Sequence, residues 1–324
     1  MNLPETRPSA DPATPRNAPA TAGAPAPKPA GKAAKHRLEE WRGQAFVYLC
    51  VLLLVVIIFS IVVFIASRGL TPFVSQGVSV KEMLFGLEWA PEADHPMFGA
   101  LPFLFGSFST SLLAAIIAAP LGICAALFMT EMMPKLGKTI LQPAIELLAG
   151  IPSVVYGFVG LSVIVPFLRH TFPGQGVGIM AGAIVLSVMI LPTITTIATD
   201  ALRSLPAGLK EGSYALGATR WQTIARIILP TTLPALLTGV VLGIARAFGE
   251  ALAVQMVIGN APHIPHSLFE SATTLTSIIT LSMGNTTTGS LHNNALWSLA
   301  LILLLMTFLF VFIVRMLERR SKHA

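Results

Sequence analysis

Arg246 and Glu250 lie four residues apart inside a long apolar run, Thr223 to Gly259. In a continuous helix that spacing puts both side chains on one face, where they can pair. Each ion costs about 2.5–3.5 kcal/mol at a bilayer centre on insertion scales, so such groups face a bundle interior or an aqueous path. A guanidinium in that position matches the oxygens of a phosphate-like anion. The alternative is a buried pair that only fixes packing. Glu146 precedes a break at Gly150 and Pro152. Two roles stay open for it: capping the broken backbone, or acting at a pathway or subunit interface. Glu211 and Gly217 sit in a polar connection further along. Other chemistry is missing. No GxxxxGK[ST] phosphate loop, HExxH or CxxC occurs in the chain. His263 and His266 flank Pro265 with no third ligand, so no metal centre is expected. Cys50 and Cys124 lie in apolar runs and imply no disulfide framework.

The elements that must position these residues are apolar. Of the 324 residues, 54% are hydrophobic and 11% charged, against roughly 25% charged in an average soluble domain. Ala45 to Ala66 is a 22-residue run without a charge, enough to cross about 30 Å of hydrocarbon. It is too long for the core of a cleaved signal peptide. Further spans are expected at Ser107–Thr130, Ile140–Leu168, Val177–Ala198, Thr223–Gly259 and Leu296–Val314. Only helices satisfy their own backbone in lipid, so the six spans read as helices despite Pro120, Pro192, Pro230 and Pro234. Gly178 with Gly182, and Gly239 with Gly243, are packing signals for close helix approach.

The net charge of +6 records topology. With six spans, 17 of the 21 Lys and Arg residues fall on the side of the two termini and three on the other. That bias places both termini in the cytoplasm and makes nucleic acid an improbable partner. Residues 1–40 read as a disordered cytoplasmic tail and 41–320 as the membrane domain. The tail holds Pro4, Pro8, Pro12, Pro15, Pro19, Pro25, Pro27 and Pro29 and little that builds a core. In the last outer connection, Ser271 to Met283 is expected to form a short helix at the bilayer edge.

The connection from Asp200 to Pro230 is the most informative. A short helix fits Leu209 to Leu216, and Gly217 suits the φ > 0 position that ends it. Such a helix on the inner face fits a groove on a cytoplasmic partner. The spacing Glu211, Gly217, Ile227, Leu229, Pro230 resembles the EAA loop of permease subunits in bacterial ABC importers, with Glu211-Gly212-Ser213 standing for Glu-Ala-Ala. The segments Glu146 to Gly157 and Arg246 to Asn260 are similar to phosphate permeases, of the PstC type rather than the PstA type. Ala251 stands where threonine commonly follows the glutamate.

That resemblance covers residues 40 to 320 and carries expectations. The fold is all-α and integral to the membrane, with six transmembrane helices of type I ABC importer (MetI-like) architecture and a cytoplasmic coupling helix. The chain is a non-catalytic inner-membrane permease of a bacterial phosphate importer, working by alternating access. It binds no cofactor itself; ATP and Mg belong to a partner ATPase. Its partners are a PstA-like second permease, a PstB-like ATPase dimer, a PstS-like phosphate-binding protein outside, and membrane lipid. Arg246 and Glu250 line the pathway, and Glu211 and Gly217 couple to the ATPase. Another oxyanion as cargo, such as sulfate or molybdate, and a phosphate-sensing scaffold without transport remain alternatives.

Overall fold

The computed structural model describes the backbone of residues 30–321 and the side chains of residues 40–312, 315 and 316. Residues 1–29, most of the expected tail, lie outside that range. The chain divides into two units, Met1–Ser60 and Ile61–Ala324. Among the described residues six helices are long and apolar enough to cross a membrane. Span 1 is Glu40–Ser75, span 2 Leu101–Met132, span 3 Ser153–Thr171, span 4 Ile179–Arg203, span 5 Arg220–Gly249 and span 6 Leu291–Phe312. The helix carrying span 1 begins at Ala30, inside the segment expected to be tail. No proline follows Pro29 until Pro72, and the Ala, Lys, Arg, Leu and Glu between them favour helix.

Within the second unit, span 4 is the central element. Its Ala183, Leu186, Ile190 and Ile194 are buried against Ala114 and Ala118 of span 2 and Ala247 of span 5. Three of the four expected glycine contacts are made; Gly178 instead precedes span 4 at φ +148°, against the Glu270 backbone. A Cβ on Gly243 would stand 2.9 Å from the Ile194 side chain, and one on Gly239 3.2 Å from Ile197. Gly182 meets Thr110 in the same way at 2.9 Å. Backbones approach closely there because no side chain intervenes. Span 6 packs on the 61–75 part of span 1, with Ser298 Oγ donating to the Gly69 carbonyl at 2.7 Å.

Span 3 is broken at the expected place, beside Gly150 and Pro152, and two further elements differ from expectation. A helix over Gln142–Gly150 ends, Ile151 and Pro152 are extended, and the span starts at Ser153. Gly157 lies within the helix, where Ala253 crosses, its would-be Cβ 2.9 Å from that Cα. Span 5 ends at Gly249, and a separate helix covers Leu252–Val257. The outer helix forms at Leu275–Ser282, but Leu275, Thr276 and Ser277 are buried in protein. Ser107 Oγ accepts from the Leu275 N–H at 2.9 Å, so the helix is plugged into the mouth of span 2.

The outer end carries one acid with a distinct setting. Glu270 accepts from the His266 N–H at 2.7 Å and lies 3.2 Å from His263 Nε2, beside a cavity of about 550 Å³. The His266 backbone hydrogen bond holds its carboxyl below the ordinary value of 4.5, with His263 adding to it against a desolvation effect. The folded-state value is depressed, so the contribution is complete above the unfolded value and lost as pH falls through the lower folded one. The protection of the His266 amide, relative to its intrinsic exchange rate at each pH, is therefore expected to hold from pH 6 through 4.5 and to fall below. Loss of protection between pH 6 and 5 would contradict this assignment.

Candidate functional site

Arg246 is exposed near the end of span 5, and its Nη1 donates to Thr193 Oγ1 of span 4 at 3.1 Å. The expected ion pair with Glu250 is not made: among the described residues Arg246 has no carboxylate within salt-bridge distance. The reason is the end of the helix. Glu250 is extended, with φ −75° and ψ 125°, so it leaves the face that Arg246 occupies. Its Oε1 instead accepts from the Ala253 N–H at 3.1 Å, at the start of the next helix. A carboxylate there satisfies a free backbone donor and the positive end of the helix. Its carbonyl accepts from Thr276 Oγ1 at 2.7 Å, tying the break to the outer helix.

Glu146 does not cap the break that follows it. It accepts from Gln142 Nε2 at 2.9 Å, one turn back. Pro152 has no N–H to give to the Leu148 carbonyl four residues earlier. The Tyr156 hydroxyl supplies that donor, 2.6 Å from Leu148 O. Tyr156 thus covers the broken backbone. Tyr156 lies in the Glu146 to Gly157 segment, but spacing alone does not show what its hydroxyl bonds.

Span 4 carries a polar face that the sequence reading also missed. Thr193, Thr196, Asp200 and Arg203 recur at helical spacing, and the last three are exposed. The row leads from the Arg246 contact towards the Glu146 helix, where Glu146, Thr199, Asp200 and Arg203 line a cleft of about 100 Å³. The polar periodicity was visible in the sequence; that it faces the guanidinium was not.

The inner helix forms as expected, over Ala207–Ala215. Gly217 has φ +81°. Its N–H bonds Tyr214 O at 3.0 Å, and that of Ala218 bonds Ser213 O at 3.2 Å, a complete Schellman ending. Glu211 is exposed and has no hydrogen-bond or ion-pair partner among the described residues. Leu216 is 91% exposed and Trp221 68%, with Leu209 and Tyr214 also exposed, which leaves an apolar surface on this helix and its turn.

The helix is fastened from behind. Lys210 pairs with Glu131, which is buried at the inner end of span 2. Arg220 donates to the Met132 carbonyl at 3.0 Å. Ser213 and Thr223 hydroxyls bond at 2.9 Å, joining the helix to span 5. A π-helical turn, Ile224–Ile228, precedes Pro230, whose ring obstructs regular helical bonding. Motion of this helix is thereby shared with spans 2 and 5.

Comparison with known proteins agrees with this arrangement. The family described as "Binding-protein-dependent transport system inner membrane component" matches residues 118–323, more than half of the chain. A probable ABC transporter permease protein, YqgH of Bacillus subtilis, is 56% identical over 88% of this chain and 93% of its own. The phosphate transport system permease protein PstC of Mesorhizobium japonicum is 39% identical over 72% of this chain and 76% of its own. A bacterial alginate ABC transporter, solved with its alginate-bound periplasmic protein, has a chain of the same fold. Its TM-score is 0.60 at 15% identity, covering 88% of this chain and 96% of that one. The chain belongs to the family of inner-membrane components of binding-protein-dependent transport systems, the multi-pass permease subunits of ABC importers, in which a separate subunit hydrolyses ATP.

Proposed function

We propose that this permease carries inorganic phosphate into the cell. One observation carries the reading: Arg246 keeps its charge unpaired among the described residues and spends one hydrogen bond on Thr193. A guanidinium has five N–H donors in a planar fork, so most remain for a tetrahedral oxyanion. A neighbouring carboxylate would have neutralised that charge; Glu250 is instead engaged by backbone. The similarity to the PstC permease supports phosphate as the particular oxyanion.

In this reading the chain pairs with a second, PstA-like permease, and the exposed face of Arg246 looks into the path between them. A PstB-like ATPase dimer receives the inner helix at Glu211 and the exposed Leu216 and Trp221. A PstS-like phosphate-binding protein docks outside. Both termini lie in the cytoplasm in this reading, which the excess of basic residues on one side supports. ATP-driven closure pushes the inner helix, and its links to spans 2 and 5 pass the motion to Arg246. Two global states with different affinity for the anion are what such a cycle requires.

The test is ATP-dependent uptake in vesicles that hold the co-expressed complex. Labelled phosphate is the cargo, with unlabelled phosphate, sulfate or molybdate as competitor. Unlabelled phosphate alone is expected to suppress uptake. If sulfate or molybdate is accumulated and phosphate is not, the cargo assignment is wrong while the permease assignment stands.

A further inference from the structure

A second cavity, of about 400 Å³, lies at the inner ends of the spans, where no carboxylate lines the wall. Three cations do: Lys138 from the connection between spans 2 and 3, Arg203 from the end of span 4, and Lys210 from the inner helix. Thr130 and Gln142 add polar groups. Lys210 is neutralised by Glu131. Lys138 has no hydrogen-bond or ion-pair partner among the described residues, and Arg203 has only Gln142 Oε1 at 3.4 Å. The wall therefore presents two cations, Lys138 and Arg203, that have no carboxylate within ion-pair distance among the described residues. Asp200 and Glu146 line an adjoining cleft together with Arg203. There Thr199 is 4% exposed, and its hydroxyl is buried without a hydrogen-bond partner.

The backbone around the cavity is also unusual. Two π-helical turns, Phe128–Met132 and Gly137–Leu141, contribute Thr130 and Lys138. Such turns are rare and occur often at functional sites. Basic pockets between membrane helices on the cytoplasmic side suit phosphate-bearing head groups, and Arg binds the same oxygens in a fork.

We propose that this cavity is a regulatory site for a phosphate-type oxyanion, held by Lys138 and Arg203 against the back of the inner helix. The ligand joins the 2–3 connection, span 4 and the inner helix, and so favours the arrangement seen here over any state in which that helix moves away. A phosphodiester head group of the inner leaflet and free cytoplasmic phosphate share the required chemistry. The proposal rests on the cytoplasmic placing of the inner helix and not on which cargo is carried.

The test uses the full co-expressed complex in the Arg246→Ala background, so that the proposed pathway site does not contribute. One arm measures retention of labelled inorganic phosphate in phosphatidylcholine nanodiscs without ATP. The other measures phosphatidylglycerol that stays bound through detergent exchange. Lys138→Gln with Arg203→Gln is expected to lower retention of the bound ligand by about thirtyfold, and Lys138→Gln alone by about fivefold. Lys138→Arg with Arg203→Lys keeps the charges and should retain it. Lys135→Gln, exposed and outside the cavity wall, should change nothing. Which arm responds identifies the source. If neither ligand is retained before the cations are removed, the proposal is overturned. It also fails if Lys138→Gln retains as much as its parent, an exposed change that leaves packing intact. Uptake selectivity, measured separately, decides the cargo and leaves this outcome untouched.

Discussion

Arg246→Ala is expected to reduce ATP-driven phosphate uptake about a hundredfold while the complex still assembles and hydrolyses ATP. Hydrogen bonds to a charged group contribute about 1.5–3 kcal/mol each. Losing one changes anion affinity about ten- to 150-fold, and an oxyanion in a guanidinium fork accepts two. The fold should survive, because the side chain is exposed and its one hydrogen bond is to Thr193. Arg246→Lys keeps the charge but loses the fork, and should fall between wild type and alanine. Thr193→Val removes the hydroxyl that orients the guanidinium and should cost a few-fold only. Uptake by the alanine variant at the wild-type rate would make Arg246 a packing residue and end its role in the pathway.

The second large effect is expected at Gly217. Its φ of +81° lies where β-branched side chains are strained by about 1–3 kcal/mol. Nothing stands within 4 Å of a Cβ built there, so the cost of Gly217→Val is conformational and not a clash. The Schellman bonds at Tyr214 and Ser213 would loosen, and Leu216 would lose its fixed direction. Coupling should suffer more than stability. ATP hydrolysis by the complex should continue, while phosphate moved per ATP drops roughly tenfold, the equivalent of about 1.4 kcal/mol. Gly217→Asn tolerates the left-handed region and should stay near wild type. Equal transport by the valine variant would show that the turn does not transmit the stroke.

The contrast between these two residues explains what was readable in advance. Gly217 was legible because its role is local. A polar connection, a short helix and a left-handed ending are decided by neighbours within one turn, and the structure has all three. The spans were legible for a similar reason. An uncharged run such as Ala45–Ala66 has one stable form in lipid, whatever surrounds it. Their ends were less so. The break in span 3 was legible at Gly150 and Pro152; that Tyr156 offers Leu148 the donor that proline lacks was not. That compensation involves residues eight apart and is not encoded in periodicity.

Glu250 makes the same point at the site. Spacing of four residues promised a pair with Arg246, but the promise holds only if the helix continues. Outer elements engage the chain at Glu250, through Thr276, and the carboxylate finds the Ala253 N–H instead. Glu146 likewise turned to its own helix and not to the break. Lys210 and Glu131, 79 residues apart, gave no sign of each other in sequence. By itself, then, the sequence determined the number of apolar spans, their helical form, and the turn chemistry of the inner helix. All of these depend on burial cost and local backbone preference. Tertiary structure decided the partners of the charges: Thr193 for Arg246, backbone for Glu250, Lys210 for Glu131. A desolvated ion takes the best donor or acceptor that packing brings within about 3 Å, and packing is a property of the whole bundle.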